Sequence, residues 1–163
     1  LRAMVDLNPE HLRLVIKNYP LSTDCNAKLS KNLHPLACQA ATASYASFLL
    51  GGDGMFWQYM DLILSHQNKL ETTLWVPFAL ELGLPQQHFL ELLNADSLAA
   101  RKVEEDVALG LNLGLDAAPV VFFLGKKLPD EAVGLAFMTA LGKRMLPRSR
   151  AAMPMSPMAP MDW

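Results

Sequence analysis

Apolar and polar residues alternate over residues 11–17 (HLRLVIK). Leu12, Leu14 and Ile16 fall on one side and Arg13, Val15 and Lys17 on the other, the period of a short strand. Asn18-Tyr19-Pro20 ends it, and a polar loop rich in turn formers follows over 22–32. From Pro35 the spacing becomes helical, with Cys38, Ala41, Tyr45, Phe48 and Leu49 sharing a face. Gly51-Gly52-Asp53-Gly54 predicts a loop, and a second helix over 55–67 buries Phe56, Tyr59 and Ile63. Two shorter helices are expected over 71–82 and 85–93, with Pro77 kinking or shortening the first. A longer one over 97–113 carries Ala99, Val103, Val107 and Leu111 inward and stops at Gly114.

The continuous apolar run 119–124 (PVVFFL) reads as the most buried strand of the chain, and Gly125-Lys126 as a turn after it. Asp130 caps a last helix with Val133, Phe137 and Leu141 facing inward and Lys143 and Arg144 at its C-terminal end. The order is α/β, a helical block inserted between two strands. From Pro147 the period is lost, and Pro154, Pro157 and Pro160 suit an extended tail. The organisation expected is a folded domain over 1–146 and a Met/Pro-rich tail over 147–163.

Composition narrows this. The 163 residues are enough for one domain; 52% hydrophobic and 18% charged residues exclude a disordered chain. The longest apolar stretch, 117–124, is far below bilayer length. Fourteen Lys+Arg against sixteen Asp+Glu give a formal charge of -2, which gives no general reason to expect nucleic acid or an acidic membrane as partner. The basic cluster Lys143, Arg144, Arg148 and Arg150 is local. His11, His66 and His88 read as surface or cap residues, and Glu104-Glu105-Asp106 as a solvated helix face. The 51–54 glycines lack the Lys-Ser/Thr of a phosphate cradle. Met153, Met155, Met158 and Met161 offer thioethers to Cu(I), although Met/Pro tails are more often plain linkers.

Three segments in register carry a resemblance. They are Tyr19-Pro20-Leu21 with Asp24-Cys25-Asn26 and His34-Pro35-Leu36-Ala37-Cys38; then 54–61 (GMFWQYMD) with Gln67; then Glu105-Asp106, Gly110, Leu113-Gly114-Leu115 and 118–128 (APVVFFLGKKL). Over roughly residues 3–145 the chain resembles the DsbA-like thiol-disulfide oxidoreductases of the thioredoxin superfamily. The resemblance implies a thioredoxin-like fold with a helical insertion. It also implies that Ala118 and Pro119 form a cis-proline junction lining the substrate groove, although the family usually has Gly-Thr or Gly-Val where Ala117-Ala118 stand.

Members of that family act through a Cys-x-x-Cys at a helix start, where the first thiolate is stabilised. No Cys-x-x-Cys occurs in this chain, so no residue of it is expected to be catalytic; the motif and a first, central strand are expected upstream of Leu1. Without that strand two rows of backbone groups lack partners, so an oligomer follows if the strand is supplied in trans. Cys25 and Cys38 match the family's second, non-catalytic pair. Three readings stay open for them: a structural disulfide, two reduced cysteines with Cys38 in the core, or an auxiliary redox pair or soft metal site with His34.

The expected function is thiol-disulfide oxidoreduction on protein or peptide thiols and disulfides, in the periplasm or another extracytoplasmic place. No cofactor is expected, and a membrane quinone-linked redox partner is. The alternative is a redox-inactive module that binds peptides or a partner domain.

Overall fold

The computed structural model of the chain describes residues 2–6 and 8–129. The last helix expected from Asp130 and the Met/Pro tail lie outside them. The compact unit Ile16–Ala118 holds nearly all of the described helices; the described parts of the flanking segments, up to Val15 and from Pro119, group separately. The elements in order are α1 (Arg2–Asp6), α2 (Ala37–Ser65), two 3-10 turns, α3 (Trp75–Glu81), α4 (Gln86–Leu92), α5 (Leu98–Asn112), β1 (Phe122–Phe123) and β2 (Lys126–Lys127).

In the unit Ile16–Ala118, α2 packs against α3, α4 and α5. Its core gathers Tyr59, Ile63, Trp75, Phe78, Leu84 and Phe89 around Ala43, Ala46, Ala79 and Ala99. Tyr59 is fully buried, and its hydroxyl donates to the Trp75 carbonyl at 2.8 Å. Burial pushes this phenol well above its usual range, so it stays a donor. Pro77 is accommodated because α3 begins only at Trp75, which places the proline in the first turn, where its missing N–H has no helical partner to lose.

The glycines at 51–54 form a kink, not the loop expected. Two helical stretches meet at a kink within Ala37–Ser65, labelled α2 as a whole, and only Gly52, at φ 70° and ψ −164°, leaves helical geometry. That φ is open to glycine and strained for other residues, which is why the bend falls there. On the stretch before the bend Ser44, Ala46 and Ser47 are buried while Phe48 is 36% exposed.

The two sequence-predicted strands differ most. Residues 12–17 enter no ladder among the described residues, and Val15 is 60% exposed. The run 119–124 supplies only β1, which pairs antiparallel with β2 through a two-residue turn at Leu124 and Gly125, both at positive φ. Far from buried, Leu124 is 81% exposed. Apolar runs of this length have strand propensity, but a strand needs a neighbour on its hydrogen-bonding edge. The described sheet is this hairpin alone.

Candidate functional site

The loop before α2 is the most elaborately held segment of the unit Ile16–Ala118. Local polar geometry folds it first. Ser22 and Asn26 are fully buried: the Asn26 side-chain amide donates to the Pro20 carbonyl at 3.1 Å, and its oxygen accepts the Lys28 N–H at 3.3 Å. Ser22 Oγ accepts the Asp24 N–H at 3.3 Å, and the His34 N–H closes the loop on the Leu21 carbonyl at 3.0 Å. Cys25 and Cys38 are then joined in a disulfide, with their Cα atoms 6.0 Å apart. Cys38 is buried in the first turn of α2, and Cys25 packs against the Ala41, Val103 and Val107 cluster between α2 and α5. Bridged sulfurs offer no thiolate to a metal, so the His34 metal reading and the reading with two reduced cysteines do not describe this state.

A second anchor comes from α5. Asp106 is 4% exposed; it accepts Lys17 Nζ on one oxygen at 2.7 Å and the Asn18 N–H on the other at 2.9 Å. One turn on, Gly110 gives Tyr19 room: a Cβ built there would lie 2.5 Å from Tyr19 Cδ2. The Tyr19 hydroxyl donates to the Leu115 carbonyl at 2.9 Å, and Lys28 Nζ donates to the same oxygen at 2.7 Å. Gly114 makes that carbonyl available by ending α5, with its own N–H on Leu111 and the Leu115 N–H on Gly110.

The acidic run therefore divides. Glu104 and Glu105 are solvated as expected, and Asp106 is not. The signal was present in the spacing, because 106 falls on the stripe of Ala99, Val103, Val107 and Gly110, where a carboxylate must find a partner. Ala118 and Pro119 are both exposed. His66 caps the end of α2, its ring 5.0 Å from that of Phe78. Among the described residues no group of three or more His, Cys, Asp or Glu is placed to hold a metal ion.

The Gly110–Tyr19 approach gives a prediction with a sign reversal. Gly110→Ala adds helix propensity of about 1 kcal/mol. Overpacking against a ring held by its own hydroxyl costs about 1–3 kcal/mol and outweighs it. Chemical denaturation should show Gly110→Ala to be destabilising in the native background and neutral or stabilising when Tyr19→Ser is present. The same loss in both backgrounds would contradict the contact.

The chain is 35% identical over 95 residues to the Na+/H+ antiporter NhaA of Herminiimonas arsenicoxydans, covering 58% of this chain and 15% of that protein. It is 31% identical over 143 residues to Na+/H+ antiporter NhaA 1 of Salinispora arenicola, covering 85% and 20%. For Na+/H+ antiporter NhaA 3 of Salinispora tropica the identity is 30% over 119 residues, covering 71% and 18%. The chain thus spans a fifth or less of the length of these relatives. No family model and no solved structure matches it.

These relatives overturn the DsbA-like assignment and the oxidoreductase and redox description that came with it. Thiol-disulfide exchange, a protein thiol or disulfide substrate and a quinone-linked partner are corrected accordingly, and the peptide- or partner-binding alternative has no support. The physical reason lies in what the resembling residues do. Tyr19, Asp106, Gly110 and Gly114 fasten a loop to a helix end. Residues in register for that reason report packing, not chemistry. An antiporter works across a membrane, so the relatives are membrane proteins. Among the described residues no helix is long and apolar enough to cross a membrane.

Proposed function

We propose that the chain is an extramembrane, disulfide-clasped domain of a Na+/H+ antiporter-type polypeptide, standing outside its ion path. The observation that carries this reading is the match to three antiporters over 58%, 85% and 71% of the chain. The surface supports an aqueous setting: α2 exposes Gln39, Asp53, Gln58 and Asp61, and α5 exposes Arg101, Glu104 and Glu105, faces that suit water and not lipid. Ion exchange needs a carboxylate free to trade a proton for a cation. Asp106, the one carboxylate buried among the described residues, is instead taken by Lys17 and the Asn18 N–H. The disulfide favours the oxidising side of the membrane.

For the fold we propose the thioredoxin-like α/β arrangement with a helical insertion, on element order alone. The block α2–α5 lies between an extended run at 12–17 and the β1–β2 hairpin. The function is tested by deleting the matched stretch from the Salinispora arenicola relative and measuring Na+-dependent proton flux in membrane vesicles. Exchange per molecule should stay within about twofold of the intact protein. Loss of exchange by a deletion variant still present in the membrane would place the stretch in the ion path and contradict the reading.

A further inference from the structure

A two-residue hairpin turn with positive φ at both positions is usually made from Asn-Gly or Asp-Gly, because those residues reach that region at little cost. The β1–β2 turn has Leu124 at φ 49° and Gly125 at φ 78° instead. Among the described residues Leu124 is the one non-glycine at positive φ. A leucine is strained there, and its side chain gains no burial in return. At 81% it is the most exposed of the large hydrophobic residues described. A residue that is wrong for its turn and buries nothing within its own chain calls for a contact outside it.

The surroundings give the chemistry of that contact. Phe122, two residues earlier, is 43% exposed. Lys126 and Lys127 follow the turn directly; both are exposed, Lys126 opposite Phe123 and Lys127 opposite Phe122. The tip is therefore apolar and its flank cationic. That order suits hydrocarbon lying behind a layer of negative charge, where lysine stems run along apolar atoms and the ammonium groups stay with the headgroups. The formal charge of -2 does not oppose it, because the charges are unevenly placed. Over 16–118 acidic residues prevail. From Pro119 on basic residues outnumber them, and Lys143, Arg144, Arg148 and Arg150 add a second cationic cluster to the same stretch of sequence.

We propose that the tip of the β1–β2 hairpin enters the headgroup layer of an anionic phospholipid bilayer, with Leu124 leading and Lys126 and Lys127 on the lipid phosphates. This rests on the reading of the chain as an extramembrane domain of an antiporter-type polypeptide, which keeps it beside a bilayer. The acyl boundary gives Leu124 the burial that its own chain does not. One leucine and two lysines make a weak contact by themselves, and the effective concentration set by the rest of the polypeptide strengthens it.

Sedimentation of the 163-residue chain with lipid vesicles tests this. The vesicles are phosphatidylcholine alone, and phosphatidylcholine mixed with an equal amount of phosphatidylglycerol. The native chain should partition into the mixed vesicles at least about tenfold more strongly than into phosphatidylcholine. Leu124→Asn creates the Asn-Gly pair that the turn prefers, so the fold is kept while the apolar tip is lost. With charge unchanged, it should lower partition into the mixed vesicles by about tenfold. Lys126→Gln combined with Lys127→Gln should lower it by about tenfold or more. Equal partition of the native chain and Leu124→Asn would overturn the proposal even if the basic residues still drew the chain to the vesicles, as would no binding at all. So would a lipid-free dimer in light scattering that Leu124→Asn splits, because a second copy would then cover the tip. The flux measurement on the Salinispora arenicola relative depends on none of these results, so the hairpin contact can fail while the antiporter reading stands.

Discussion

Replacing both Cys25 and Cys38 by alanine is expected to lower the unfolding free energy by about 3 kcal/mol, the chain-entropy value for a loop of this size. The bridge spans a sequence separation of 13. Without it, the segment between Ser22 and His34 keeps neutral hydrogen bonds, each contributing about 1 kcal/mol or less net, and the exposed bond from Lys28 Nζ to the Leu115 carbonyl. Alanine is the better probe because Cys38 is buried and serine would bring a hydroxyl into its place. In a unit of this size the loss corresponds to a fall in Tm on the order of 15 °C. Reductant should bring the native chain down to the melting temperature of the double variant and leave the variant unmoved. A Tm that shifts by less than about 4 °C in both experiments would show that the bridge does not hold the loop.

Asp106→Ala is expected to cost about 2–3 kcal/mol, and the reason is the backbone more than the ion pair. Lys17 is 56% exposed and returns to water when its partner is removed, so the pair itself contributes little. The Asn18 N–H, part-buried against α5 where Asp106 is 4% exposed, loses its acceptor. Asp106→Asn keeps an acceptor for that N–H and should cost about half as much, and Lys17→Ala less than about 1 kcal/mol. Denaturant midpoints measured on the three variants give the order. A Lys17→Ala loss equal to that of Asp106→Ala would mean that the ion pair carries the anchor.

Much of the helical architecture was legible in the chain, because its signals are local. Ser97 caps α5 through its side chain on the Ala100 N–H, and Gly114 ends that helix at positive φ. Tyr59 and Ile63 are buried on the face that their spacing predicts. The misreadings involve partners distant in sequence. Residues 12–17 and 119–124 have strand propensity, but whether a strand forms depends on a neighbour that local pattern cannot supply. The break expected at Gly51–Gly54 is present as a kink at Gly52 between two helical stretches, shorter than the loop that four turn-forming residues suggest. Asp106 was hidden inside a charged run whose other two members are solvated. The functional misreading has the same origin: residues that fasten the loop to α5 were taken for the signature of a reaction.

The most direct test of the central claim is the size, location and sidedness of the native polypeptide that contains this sequence. An antibody raised against Ile16–Ala118, used on fractionated cells that express it, should detect a membrane-bound band several times larger than a 163-residue chain. The epitope should be digested by protease added from the oxidising side of the membrane, and the band should change mobility on reduction. A free polypeptide of about 163 residues outside the membrane fraction would contradict the account, as would an epitope accessible only from the cytoplasmic side.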